Sequence, residues 1–110
     1  MRHNKLVRDR IPELIEESGQ QAVTRALGDG EYEQALLLKL REETGEYEGS
    51  REVEELADIL EAVYALAATH GIGSQELERL RERKRRARGG FERRLLLIET
   101  LGADGGRVDG

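Results

Sequence analysis

Residues 41–61 concentrate carboxylates at intervals that helices would aim at one another. Glu43 and Glu46 stand three apart, as do Glu55 and Asp58, and residues three apart are neighbours on one helix face. Each pair can therefore grip one cation. Between the pairs, Gly49-Ser50 reads as a helix stop followed by an N-cap type residue, with Glu52 in the first turn of the next helix. Folding the chain back midway between Ser50 and Arg51 sets Glu46 opposite Glu55 and Glu43 opposite Asp58. Four carboxylates then converge from two antiparallel helices, an oxygen-only donor set suited to a hard cation.

A second reading uses the same residues, because Glu is a good helix former and a Glu-rich helix is often wet along one side. The surrounding apolar stripe bears on the choice. Leu36 and Leu40 lead by helical steps to Glu43 and Tyr47, while Ile59, Ala62 and Leu66 share a side with Glu55 and Asp58. Acids that continue a buried face are costly unless paired or coordinated to a metal. Spacing alone leaves both the metal cage and the solvated face standing.

Glu42-Glu43-x-x-Glu46 followed by Glu55-x-x-Asp58 resembles the signature of the all-α nucleoside triphosphate pyrophosphohydrolases, the MazG-like superfamily that includes phosphoribosyl-ATP pyrophosphohydrolase and dimeric dUTPases. Two further segments are similar to the opening and closing parts of a small, single-domain branch. They are residues 4–12, Asn-Lys-Leu-Val-Arg-Asp-Arg-Ile-Pro, and Lys84-x-x-x-Arg88-Gly89-Gly90-Phe91. The resemblance spans residues 4–98. It implies an all-α fold, a helical bundle built on an antiparallel helix pair and completed by oligomerisation to a dimer or tetramer.

Composition sets the outer bounds. A chain of 110 residues allows one domain with a thin core, here expected over residues 1–101 with a disordered tail at 102–110. Oligomerisation is a natural remedy for so small a core. Charged residues make up 37% and aromatics 4%, a balance that would point to disorder were Leu, Ile, Val and Ala not phased at helical intervals. The absence of cysteine excludes a disulfide framework, a thiolate metal site and a thiol nucleophile. With no apolar run long enough to span a bilayer and no signal-like apolar core at the start, the expectation is a cytoplasmic protein without a membrane partner.

The net charge of −5 hides a division. Acids dominate residues 42–61, whereas nine basic residues face only Glu82 and Glu92 within residues 79–94. An acidic, metal-holding centre with a basic rim suits an anionic, metal-bound substrate, although most of the side chains from Arg81 to Arg86 read better as a solvated helix face. A nucleic-acid surface is disfavoured by the acidic total and by the lack of aromatics interleaved with the basic side chains.

The elements that must position these residues follow from punctuation. Pro12 opens a short helix that stops before Gly19, and residues 20–27 lack helical phasing and read as a connector or short strand. Asp29 is placed to cap a long helix over 31–48, with Gly45 inside it giving room beside the acids. A third helix over 50–70 carries two apolar stripes. One holds Val53, Leu56, Ala57, Leu60, Tyr64 and Ala67, and the other Ile59, Ala62, Val63 and Leu66. Gly71 stops it, Ser74 caps a basic fourth helix, and Gly89-Gly90 ends that one. Leu95 to Ile98 suit a strand or a helical segment closing on the N-terminal part, with an extended form preferred. His3 and His70 match no metal-ligand spacing.

Residue by residue, the resemblance makes Glu43, Glu46, Glu55 and Asp58 ligands of Mg²⁺, with Mn²⁺ as a substitute. Glu42 is matched to the acid that orients or deprotonates the attacking water. Lys5, Arg8, Lys84 and Arg88 are matched to phosphate-binding positions, and Asp9 to a residue that fixes Arg8 or touches the nucleotide. The implied reaction is cleavage of a nucleoside triphosphate, or a related nucleotide, to the monophosphate and pyrophosphate, in a house-cleaning role. Phosphoribosyl-ATP pyrophosphohydrolase of histidine biosynthesis is the alternative within the class. A non-catalytic helical module that senses nucleotide or metal is the alternative outside it.

Overall fold

The computed structural model describes residue 1 and residues 3–106, and these contain four helices and no strand. The helices are α1 (Ile11–Glu17), α2 (Asp29–Ser50), α3 (Val53–Thr69) and α4 (Ser74–Arg88). The chain forms two compact units, Met1–Glu78 and Arg79–Gly110, so the expected domain over 1–101 is described in two parts. None of the helices is long and apolar enough to cross a membrane among the described residues.

The first unit is built on α2 and α3, which pack against each other as an antiparallel pair. Its core is thin: Leu36 on α2 and Ala62 on α3 are the buried apolar side chains, at 3% and 6% exposure. The stripe expected on α2 does turn inward, with Leu40 and Tyr47 half-buried beside buried Leu36 and Glu43. On α3 the two stripes part company. Ile59, Val63 and Leu66 are at least half-covered, as are Tyr64 and Ala67 at the far end of the first stripe, whereas its leading part, Val53, Leu56 and Leu60, is open, Val53 at 78% exposure. A single partner helix covers one side only, which leaves the other as an unpartnered apolar edge.

Helix ends account for the boundaries. Behind α1 and α3, Gly19 and Gly71 take the left-handed conformation at φ +95° and +74°. In each case two following N–H groups reach back to the last turn: Gly19 and Gln20 donate to the Glu16 and Ile15 carbonyls, Gly71 and Ile72 to those of Ala68 and Ala67. This double bond pattern satisfies carbonyls that the helix end would otherwise orphan. The connector over residues 20–27 carries no regular structure.

Three boundaries differ from expectation. Asp29 is the first helical residue of α2 and Gly28 the cap, without a side-chain cap bond. Gly49-Ser50 does not stop α2; the helix continues to Ser50, and the break falls at Arg51, which adopts the left-handed conformation at φ 60°. Its N–H donates to the Tyr47 carbonyl and its Nε to that of Glu48 at 3.0 Å. Ser50 accordingly does not lead α3, although its Oγ accepts the Glu52 N–H at 3.2 Å and steadies the two-residue link. Ser74 likewise is the first residue of α4, and the Leu77 N–H donates to the Gly73 carbonyl ahead of it.

In the second unit, α4 ends at Gly89, at φ +83°, whose N–H donates to the Arg85 carbonyl at 2.7 Å. Arg85 pairs with Glu92. The expected buried closing segment is instead an irregular stretch, with Leu95, Leu96, Leu97 and Ile98 open to solvent. Within residues 102–106 the Gly105 N–H donates to the Gly102 carbonyl and the Gly106 N–H to Asp104 Oδ1. Residues 107–110 of the expected tail lie outside the described residues.

Gly45 does not make room for anything, since a Cβ built on it meets no atom within 4 Å. A mid-helix glycine in open space costs about 1 kcal/mol relative to alanine. Gly45→Ala should therefore raise stability by about that amount in urea denaturation, without altering helix content by circular dichroism. A loss of stability would mean that another group covers this position.

Candidate metal centre

Because the link between α2 and α3 is only Arg51 and Glu52, the last turns of α2 and the first turns of α3 are fixed side by side. Acids three residues apart on each helix then meet across the pair. Carboxylate oxygens of Glu43, Glu55 and Asp58 come within 4.8 Å of one another, and so do those of Glu42, Glu43 and Glu46. Glu43 belongs to both groups and is buried at 6% exposure.

The pairing expected from the hairpin is seen in the electrostatics. Burial pushes the Glu43 carboxyl above the ordinary glutamate range; Lys39 opposes the shift, while Glu46 and Asp58 add to it. Glu55 is raised first by loss of hydration, then by the charges of Glu46, Asp58 and Glu43. Like charges held together disfavour ionisation of each.

Cations converge on the same acids. The lead-in before α1 brings Arg8, whose Nη2 donates to Asp58 Oδ1 at 2.6 Å, and Lys5, whose Nζ lies 3.8 Å from Glu42 Oε1. Lys39 Nζ lies 3.2 Å from Glu43 Oε1 and 3.7 Å from Glu42 Oε2. Asp9 lines a cavity of about 210 Å³ together with Arg8, Lys39, Glu43 and Asp58, and Tyr32 and Leu36 supply part of its apolar wall. The first unit thus gathers Lys5, Arg8, Asp9, Glu42, Glu43, Glu46, Glu55 and Asp58 into one region. Lys84 and Arg88 belong to the second unit, on the exposed basic part of α4.

Lys39 escaped the sequence reading, although the signal was there: it precedes Glu43 by four residues and Glu42 by three on the same helix. Glu61, three residues after Asp58, lines the cavity for the same reason.

The residues fit a divalent ion by three measures. Every donor is a carboxylate oxygen, the preference of Mg²⁺ and Mn²⁺. Within each group the carboxylate oxygens all lie inside 4.8 Å of one another, close enough to converge on one small cation that takes its oxygens at about 2.1 Å. Finally, with Asp9 and Glu61 on the cavity wall, the acids of the region outnumber its cationic side chains, Lys5, Arg8 and Lys39, which leaves net negative charge at the centre. Glu43, Glu46, Glu55 and Asp58 could hold such an ion, with Glu42 at the edge.

The raised carboxyls carry a pH dependence. Their folded-state values lie above the unfolded ones, so both oppose folding at neutral pH, and that opposition is relieved as pH falls through the raised values towards about 4.3, the ordinary glutamate value. Metal-free protein should therefore gain thermal stability as pH falls from neutral through the raised values towards the ordinary glutamate value. Glu43→Gln and Glu55→Gln should each flatten that rise. The exposed pairs Arg25–Glu31 and Arg85–Glu92, whose acids are shifted down by their arginines, act in a separate window below the ordinary range. A wild-type stability that only falls as pH drops from neutral to the ordinary glutamate value would contradict the crowding of these acids.

No protein-family model matches the chain, and no solved structure does. One curated protein, an uncharacterized protein of Mycolicibacterium smegmatis strain ATCC 700084 / mc(2)155, is 60% identical over 42 residues. That stretch covers 38% of this chain and 43% of the relative, so the chain spans less than half the length of the curated relative it matches.

Proposed function

We propose that the chain is a Mg²⁺-dependent nucleotide pyrophosphohydrolase of the MazG-like kind. Water attacks a phosphorus of the α–β phosphoanhydride of a nucleoside triphosphate or related nucleotide, the bridging P–O bond breaks, and the monophosphate and pyrophosphate leave. The observation that carries this reading is the convergence of Glu43, Glu55 and Asp58 across the helix pair, with Arg8 and Lys5 delivered to the same place.

When bound, the ion supplies neutralisation of phosphate charge and acidification of water. Glu43, Glu46, Glu55 and Asp58 would hold it. Glu42, half-exposed at the edge of the cluster, is positioned to orient the attacking water and take its proton. Lys5 and Arg8 bind phosphate oxygens by charge-assisted hydrogen bonds, and Asp9 keeps Arg8 in place or meets the nucleotide. Lys84 and Arg88 are assigned to phosphate binding on the resemblance of their segment. The pairing of Arg8 with Asp58 and of Lys39 with Glu43 favours one rival, a module that binds nucleotide or metal without turnover.

Pyrophosphate release from a panel of canonical, damaged and phosphoribosylated nucleotides separates the readings. Turnover of phosphoribosyl-ATP above all others would assign the histidine-pathway activity, and tight binding with no release would assign the module. Mg²⁺ should raise the melting temperature in a concentration-dependent way. Glu46→Gln and Asp58→Asn should blunt that gain and lower turnover roughly 10²-fold or more. Glu48→Gln, outside both acid groups, is the control. Equal harm from it would reduce the centre to a diffuse acidic surface.

The same reading includes a homo-oligomer, a dimer or tetramer, formed through the open edge of α3. Val53, Leu56 and Leu60 supply an apolar strip that the chain does not cover by itself. Light scattering should give a dimer or larger at micromolar concentration, and Leu60→Glu should dissociate it. A monodisperse wild-type monomer would remove the interface.

A further inference from the structure

Two cationic side chains of the first unit, Arg8 and Lys39, are paired with carboxylates that a divalent ion would need. Arg8 occupies Asp58 Oδ1 at 2.6 Å, and Lys39 bridges Glu43 Oε1 and Glu42 Oε2 at 3.2 and 3.7 Å. Glu43 is too deeply buried to be well hydrated, so its charge depends on a partner. Lys39 is the partner present, itself only 22% exposed.

We propose that Lys39 and Arg8 are resident counter-ions of this centre, exchanged for a divalent cation when it binds and handed over to the phosphates of the incoming anion. The inference rests on the metal reading above and deepens it. A divalent ion and the two side chains compete for the same carboxylate oxygens, and unit positive charges within about 4 Å of a dication are strongly repelled. Both side chains line the 210 Å³ cavity shared with Glu43 and Asp58, so release turns them towards space that an anion can fill. Arg8 stands outside any helix, ahead of α1, and Lys39 has a long flexible stem. Either can turn without disturbing the helix pair. The exchange has a thermodynamic consequence: the metal binds the free protein less tightly than its carboxylates would allow, and metal and polyphosphate strengthen each other's binding reciprocally.

The test uses the full chain, with Mn²⁺ alone titrated by calorimetry and by electron paramagnetic resonance. Lys39→Met and Arg8→Leu should each tighten Mn²⁺ binding about three- to tenfold, the range for a partly buried ion pair that competes for the same oxygens. The same variants should raise the KM for nucleotide. Inorganic tripolyphosphate should tighten Mn²⁺ binding to the wild type, after allowance for Mn²⁺–tripolyphosphate in solution, and should do so less in the variants. Circular dichroism verifies folding, and Arg8, lying outside the helices, provides a variant independent of α2. If Mn²⁺ binds the wild type and is lost in Glu43→Gln, yet Lys39→Met and Arg8→Leu bind equally or more weakly, the exchange is wrong and the metal centre stands. If neither wild type nor variants bind Mn²⁺, both fall together.

Discussion

Like charges do not gather unless the backbone compels them, and here the compulsion comes from a link of two residues. Arg51 and Glu52 join α2 to α3 so tightly that the helix ends cannot slide or rotate independently, and the acids on each must face those on the other. The apolar contacts behind them, centred on Leu36 and Ala62, are few. The molecule thus spends much of a small core on holding carboxylates together, an arrangement that raises Glu43 and Glu55 and costs stability at neutral pH. Natural sequences tend to break local rules of this kind where a site requires it.

The strain is partly relieved from two directions. Lys39 offers its charge from within α2, and the lead-in segment brings Lys5 and Arg8 from outside the pair. The acids still outnumber these cations, and the apolar wall of the neighbouring cavity gives room for more than an ion. A short chain with one helix pair can therefore present a charged centre, a basic arm and an apolar recess in one compact unit.

The acidic centre was legible because helical spacing is a strong signal and carboxylate pairs at three-residue intervals admit few other geometries. The stop of α2 was less so: glycine before serine reads as a helix end, yet Arg51 takes the left-handed turn, since the side chain of an arginine can bond back to the Glu48 carbonyl while its backbone closes the helix. Lys39 was overlooked because attention to acids alone ignores the i+4 partners that make a buried carboxylate tolerable. The segment around Leu95 to Ile98 misled in the opposite sense, its apolar run suggesting burial that the chain does not provide. Local periodicity speaks to which face turns inward, not to whether another element arrives to cover it.

The two-residue link has an implication for how chain length can vary. One residue added inside α2 after Glu46, or inside α3 ahead of Glu55, would turn the acids on its two sides by about 100° relative to each other, carrying one pair off the shared face. The irregular connector between α1 and α2 imposes no such phase, and insertions there leave the acids where they are. Proteins that share this centre should therefore differ freely in length ahead of α2 while keeping Glu46 and Glu55 nine positions apart, a ruler by which distant relatives can be aligned when overall identity has faded.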